Sequence, residues 1–442
     1  MRRRLEFGVR APMRLLASLL VALAATAGAA AQSLAPGTWG APGAPIELEG
    51  AWTPSKPPRL REVRRVAGGA VAPLDTAVHS QIPGLSIRVA IAERVAAVEL
   101  RGVGLEIAEL GSCPGCRGES VRAELVRAAT ARGDTRRVAP SGSGLEVDGW
   151  RAAGFRLSGG SIRLNGRDYG GIIDLVRNGD GVAIVNEVPL EEYVAGVVRA
   201  EAGERWPLEA LRAQAVAVRT YAAHHRALGA GKPYHLVAST AHQLYAGRVL
   251  PSSPVWEAVS STAGQILLWS GELFPAFYHT DSGGFTEDPR TVFAARNMPA
   301  LQAVRCPFSA GSPHYYWTAD VKLVDLAEML RRQDLGVGAV TAIEVTERAG
   351  SLRASWVAVH GTRGSVRVRG NDLRRVVGYD TLKSTLFAVA VHGDLAQFAG
   401  RGYGHGVGLC QWGAKAMAEG GHSARQILEF YYPGTTPGTL NQ

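Results

Sequence analysis

The sequence predicts a mixed α+β fold, a β-rich body of short, mostly antiparallel strands with a helical pair embedded at about residues 189–229. Two changes of hydrophobic period predict it. From Leu85 onward apolar residues alternate in short runs, the period of half-buried strands. Between Val188 and Gly229 the spacing becomes i, i+3, i+4, i+7, the signature of buried helix faces. Strand-like runs then resume and continue almost to the end, so the helices lie inside the β body.

The first residues read as a targeting segment. Arg2, Arg3 and Arg4 form a positive n-region, Met13–Ala27 an apolar h-region, and Ala29-Ala30-Ala31 a small-residue cleavage site. Residues 1–31 are therefore expected to be a signal peptide, cleaved near Ala31, with retention as a signal anchor the alternative. The chain would then be exported to the periplasm or cell envelope. Residues 32–84 read as a linker rich in proline and glycine, most clearly in LAPGTWGAPGAP and TPSKPP. Residues 85–436 would form one catalytic domain, with 85–161 as a candidate smaller N-terminal lobe. The 442 residues carry a formal net charge of +9, suited to an acidic envelope or membrane surface. The arginines are dispersed and no nucleic-acid motif occurs, so nucleic acid is not an expected partner.

Strands are expected at Leu85–Ile91, Ala96–Leu100, Leu105–Ala108, Leu145–Val147, Phe155–Leu157 and Ile162–Leu164. Ile172–Val176 and Val182–Val185 are joined through Asn178-Gly179-Asp180-Gly181 and read as a hairpin. Cys113 and Cys116 lie in a glycine-rich loop. They lack the second cysteine pair of a structural zinc site and the histidine of a haem attachment, so a local disulfide in an oxidising compartment is expected, with redox activity the alternative.

The helical pair opens with proline at each first helical position, Pro189 and Pro207. In the first helix Leu190, Tyr193, Val194, Val197 and Val198 form one apolar stripe, and the next position on it is Glu201. Glu191 and Glu192 fall on other faces. A carboxylate on an apolar stripe loses hydration, so its pKa rises toward the range of a general acid. The second helix is small and apolar nearly all round, with Arg212, Arg219, Gln214 and Tyr221 at the borders of its stripe. The structural alternative is that Glu201 pairs with Arg219 or caps backbone near Trp206.

Beyond the pair, a helix is expected at Pro254–Ser261 and strands at Gln265–Trp269 and Leu273–Tyr278. The latter ends in His279-Thr280-Asp281-Ser282-Gly283-Gly284, polar residues before paired glycines, as where a ligand approaches backbone closely. His279, Asp281 and Ser282 are nearly contiguous and lack a nucleophile elbow, which argues against a serine hydrolase. Cys306 and His314 share an irregular segment, where a partly buried thiol is expected rather than a nucleophile. A helix at Leu323–Gln333 precedes strands at Val340–Glu347, Ala354–His360 and Ser365–Arg369. A short helix capped by Asn371 or Asp372 follows, then strands at Phe387–Val391 and Leu395–Phe398. The glycines of GRGYGHGVGLCQWG fall too late in the chain for a dinucleotide fold. They free the backbone around Tyr403 and His405 and lead into a helix near Leu409, with Gln411 in its first turn. Gln411 and His405 are candidate ligand-binding side chains. A last helix spans Ser423–Tyr431.

Four blocks, PLEEYVAGVVRAE, WPLEALRAQAVAVRTYA, FYHTDSGG and GYGHGVGLCQWGAKAMA, resemble the SpoIID/LytB family, the stage II sporulation protein D group of bacterial cell-wall proteins. The resemblance implies a peptidoglycan lytic transglycosylase. Such an enzyme cuts the bond between N-acetylmuramic acid and N-acetylglucosamine without water, leaving 1,6-anhydro ends. Glu201 stands where the family has its catalytic glutamate, acting as acid and then as base. The helical pair would line a glycan-binding groove, with Arg219, Gln214, His279, Ser282, Gly283, Tyr403, His405 and Gln411 as substrate-binding candidates. Implied partners are peptide-stripped glycan strands and an N-acetylmuramoyl-L-alanine amidase. No cofactor is implied. Some relatives hold a metal beside the Gln-x-Tyr that Gln243-Leu244-Tyr245 matches. Here those positions read Val237, Ala241 and His242, so no zinc is carried over. Other members are non-catalytic wall-binding proteins that stimulate an amidase, and the sequence leaves that role open.

Overall fold

The computed structural model of the chain describes residues 84–110, 135–293 and 297–440. The signal segment, the linker and the Cys113–Cys116 pair lie outside these residues.

The chain enters on β1 (Ser86–Val95), β2 (Val98–Val103) and β3 (Glu106–Leu110). It continues through β4 (Arg136–Ser141), β5 (Gly144–Val147), β6 (Trp150–Ala152), β7 (Gly154–Ser158), β8 (Ser161–Leu164) and β9 (Arg167–Tyr169). The hairpin of β10 (Ile172–Asn178) and β11 (Gly181–Pro189) follows. Two six-stranded sheets result, ordered β6-β5-β4-β2-β8-β9 and, with β12 (Leu236–Val237), β12-β1-β11-β10-β7-β3. In the hairpin Asn178 pairs with Gly181, which leaves Gly179-Asp180 as the turn, and Gly179 takes a φ of 61°. A side chain is disfavoured there.

β11 runs straight into α1 (Leu190–Glu201), and α2 (Leu208–Leu228) packs beside it. Pro189 and Pro207 stand one residue before each helix, in extended backbone at the N-cap, where neither needs to donate. The expected stripe of α1 is buried, and α2 is buried on nearly every side. Val194, Val197 and Val198 are fully buried, and each contributes about 1.5–3 kcal/mol. Their core is continuous with that of both sheets, from Ile87 and Leu100 through Phe155 and Ile184 to Val218.

The remainder of this core comes from α3 (Val255–Ser261), β13 (Gln265–Trp269), β14 (Glu272–Leu273), β15 (Tyr278–His279) and α4 (Pro289–Phe293). Between these and the C-terminal elements sits a second core around Trp317, Leu326, Val357, Leu373 and Phe398. It is built from β16 (Tyr316–Lys322), α5 (Leu323–Arg331), β17 (Val340–Arg348), β18 (Ala354–Gly361), β19 (Gly364–Arg369), α6 (Gly370–Val377), β20 (Phe387–His392) and β21 (Leu395–Arg401). The chain then returns to the first core with β22 (Leu409–Cys410), α7 (Gln411–Glu419), α8 (Ala424–Tyr431) and β23 (Thr436–Thr439).

Several boundaries differ from the sequence reading. The Leu273–Tyr278 run breaks into β14 and β15, because β15 leaves the meander to pair in parallel with β22. α7 opens at Gln411, with the Cys410 Sγ accepting from the Gly413 N–H at its N-cap. α6 opens at Gly370, after Arg369, with no side-chain cap from Asn371 or Asp372. Ser423 does form the reciprocal capping box of α8 with Gln426.

Candidate active site

Glu201 is the last residue of α1. The stripe that buries Tyr193, Val194, Val197 and Val198 brings it to the edge of the core, where its side chain is half-buried. Three chain segments converge on the carboxylate. Oε1 accepts from the Leu244 backbone N–H at 2.9 Å, and Oε2 lies 3.4 Å from the Gln411 Nε2 donor. The buried Tyr278 hydroxyl also faces it and favours the charged form, although its geometry falls short of a formed hydrogen bond. Burial is the largest influence and raises the Glu201 pKa above the ordinary 4.5, against the pull of these donors from Leu244, Gln411 and Tyr278. The negative C-terminal end of α1 acts in the same direction as burial.

The Leu244 contact depends on Gly196. A Cβ there would lie 2.5 Å from the Tyr245 ring and 2.6 Å from the Gly247 carbonyl oxygen. With hydrogen alone at that position the 243–247 segment packs flat on α1, and Ala246 N–H donates to the Gly196 carbonyl at 3.3 Å. Tyr193 fixes the same segment by donating to Gln243 Oε1 at 2.9 Å. Gly196, Tyr278 and the Leu244 amide were not singled out in the sequence. A glycine inside a helix of β-branched residues was the available signal, because it costs about 1 kcal/mol against alanine unless close packing needs it.

The last two sequence blocks meet through strand pairing. Tyr278 pairs with Leu409 and His279 with Cys410, while Asp281 and Tyr403 form an antiparallel bridge. This register carries Gln411 to Glu201. Trp412 N–H donates to the Thr280 carbonyl at 3.1 Å, and the Trp412 ring meets Trp206 edge-on at 5.6 Å.

The other expected site residues divide. Arg219 is fully buried and bonds Glu191 through both carboxylate oxygens at 2.8 and 2.6 Å, so it serves the packing of α1 against α2. It neither pairs with Glu201 nor faces solvent. Ser282 is fully buried too, its amide donating to Cys410 Sγ at 3.2 Å and its Oγ accepting from Gly284 N–H at 3.3 Å. Gly283 is buried at a φ of 67°, and a Cβ there would meet the Arg401 backbone at 2.8 Å. Gln214 is buried with its Nε2 unpartnered. His279 and His405 lie as a tilted ring pair 5.6 Å apart. His279 Nδ1 contacts the Val407 carbonyl at 3.1 Å and its Nε2 has no partner, whereas His405 Nδ1 accepts from Val407 N–H at 3.0 Å. Burial, followed by Arg374 and Arg353, lowers the His405 pKa to about 3. Burial, then His405 and Arg353, holds His279 well below the usual range. Burial thus favours the neutral form of both imidazoles. Tyr403 is half-buried and donates to Asp380 at 2.6 Å.

Cys306 and Cys410 are fully buried free thiols, and Cys306 Sγ lies 3.1 Å from the Tyr431 hydroxyl, away from solvent. Among the described residues no group of three or more His, Cys, Asp and Glu side chains is placed to hold a metal ion. His242 Nδ1 instead accepts from the Val237 amide at 3.4 Å.

The SpoIID family, described as Stage II sporulation protein, matches residues 178–269. The chain is 32% identical over 266 residues to Stage II sporulation protein D of Bacillus subtilis (strain 168), covering 57% of this chain and 75% of that relative. The chain belongs to the SpoIID family. An uncharacterized Brachyspira hyodysenteriae protein is 31% identical over 278 residues, covering 61% of this chain and 72% of its own length. The amidase enhancer of B. subtilis (strain 168) is 29% identical over 289 residues, covering 54% of this chain but 39% of that relative. A domain of unknown function matches residues 306–408. In this SpoIID-family chain that match contains the whole second core.

Proposed function

We propose that this SpoIID-family protein is a lytic transglycosylase of peptidoglycan. Membership of the family and likeness to an amidase enhancer support a cell-wall function. The observation that supports the chemistry is Glu201: a half-buried carboxylate with a raised pKa, met by donors from Leu244 and Gln411 and faced by the Tyr278 hydroxyl.

The reaction needs one group that is first an acid and then a base. Protonated Glu201 gives its proton to the glycosidic oxygen as the bond from the N-acetylmuramic acid anomeric carbon breaks. The C6 hydroxyl of the same sugar attacks that carbon, and the Glu201 carboxylate takes the hydroxyl proton. The anhydro bond forms, no water is consumed, and Glu201 ends protonated as it began. The Leu244 amide, Gln411 and Tyr278 stabilise the carboxylate in the interval after it has given up its proton. Ordinary glycoside hydrolysis would need a second carboxylate and a water. Glu204 bonds Ser253 at 2.9 Å, and Glu209 accepts from the Ala424 amide at 2.7 Å, so each has a structural partner. Peptide-stripped strands incubated with purified protein should give ends one water lighter than hydrolysis products by mass spectrometry. Reducing ends alone would overturn the mechanism.

The amidase-enhancer relative favours a second reading, in which the protein binds the wall and stimulates an N-acetylmuramoyl-L-alanine amidase. Purified protein that cuts no glycan yet raises the rate of an added amidase would establish that reading instead. Either role fits export to the cell envelope.

A further inference from the structure

The second core and its return segment carry several cations that stand outside the ion pairs of this region. Arg353, Arg374, Lys383 and Arg401 all belong to it or to its return segment, and none makes an ion pair within 4.0 Å among the described residues. Their acidic neighbours lie beyond ion-pair distance and keep their charge while accepting hydrogen bonds from neutral donors, with Asp281 Oδ2 left unpartnered. Asp380 accepts from the Tyr403 hydroxyl, Asp281 from the Gly283 amide at 2.7 Å, and Glu287 from the Ser351 hydroxyl. Arg353 and Arg374 are buried, and Arg353 leaves Nε and Nη1 without partners. Lys383 is half-buried, with Nζ 5.9 Å from the centroid of the Tyr403 ring.

From Lys383 a row of half-buried rings runs to the candidate active site. Tyr403 meets His314 at 5.5 Å, and His314 meets Trp412 at 6.1 Å. Trp412 follows Gln411, the residue bonded to Glu201. Lys415 lies 5.2 Å from the Trp412 ring but is bridged to Glu419, so Lys383 is the available cation on this row. Aromatic faces suit the apolar faces of sugar rings, and an unpaired ammonium at the end of the row suits an acid on the sugar. In a peptide-bearing strand the lactyl carboxyl of N-acetylmuramic acid is tied up as an amide. In a stripped strand it is a free anion beside the ring.

We propose that Trp412, His314, Tyr403 and Lys383 form a subsite for the free lactyl carboxylate of peptide-stripped N-acetylmuramic acid, by which the second core selects stripped strands. This rests on the glycan-cleaving reading above. The test measures binding in a Glu201→Gln background, so that strands stay intact. The probes are stripped glycan strands and the same strands with their carboxyls methyl-esterified. Stripped strands should bind about tenfold tighter at low salt, the effect of one charge-assisted contact, with the difference shrinking as salt rises. Lys383→Gln should abolish the difference by weakening only the stripped strands, and Lys383→Arg should keep it. Equal binding of both probes, or a Lys383→Gln loss that is the same for both, overturns the proposal. Wild-type product analysis reports on Glu201 chemistry separately, so the two readings fail by different results.

Discussion

Replacing Glu191 by alanine strands a charge in the core. The Arg219 guanidinium is fully buried, and Glu191 supplies its only carboxylate contact, at 2.8 and 2.6 Å, among the described residues. The remaining partners are the carbonyls of Gln265 at 3.0 Å, Ala215 at 3.4 Å and Val259 at 3.5 Å, which cannot neutralise it. Breaking a buried pair by removing one partner costs about 3–5 kcal/mol. Glu191 keeps 24% of its side chain exposed, so solvent screening places the cost at the lower end, about 3 kcal/mol. For a protein of this size that lowers the melting temperature by roughly 6 °C. Circular dichroism during heating measures the shift, and glycan binding well below the transition measures the site. A Glu191→Ala protein with unchanged melting temperature but weakened glycan binding would refute the structural role and return Arg219 to the substrate.

Three further outcomes follow from the geometry. Turnover should fall as pH rises through the folded pKa of Glu201, which lies above 4.5, because the acid form is depleted. Gln411→Leu, which removes a donor favouring the charged form, should move that limb to higher pH. Gly196→Ala should destabilise the fold by about 1–3 kcal/mol despite alanine's better helix propensity, and should lower turnover by shifting the Leu244 amide, as thermal unfolding and rate measurements would show. His405 is held near 3 by burial and by Arg374 and Arg353, so its contribution to stability is present above pH 6.5 and lost as pH falls toward 3. Melting temperature measured across that window should drop more steeply for the wild type than for His405→Asn.

Much of the fold was legible because period and burial coincide. The stripe from Leu190 to Val198 is buried as expected, and the next position on it is Glu201, the carboxylate of the candidate site. The hairpin was legible from its Asn-Gly-Asp-Gly turn. What stayed hidden depends on contacts between distant segments. The Leu244 amide reaches Glu201 across 43 positions and Gln411 across 210, and no local pattern encodes either separation. Arg219 was misplaced for a related reason. Its position at the border of a stripe is the same for a substrate ligand and for a buried ion pair, and only the neighbouring helix, which supplies Glu191, distinguishes them. The separate core of residues 317–398 was invisible because its strands have the same period as those on either side.

The most direct test of the account is Glu201→Gln assayed on peptide-stripped strands. The substitution keeps size and most hydrogen bonding but removes the transferable proton. It also relieves a carboxylate whose stability contribution is present below its unfolded pKa and lost as pH rises through the raised folded one, so the variant should unfold no earlier than wild type at neutral pH. General acid–base assistance is worth about 10²–10⁴-fold, and one group serving both steps places the loss of turnover toward the upper part of that range. A folded Glu201→Gln protein that binds glycan and releases essentially no anhydro ends is the predicted result. Near-normal release of anhydro ends by the folded variant would contradict the assignment of Glu201.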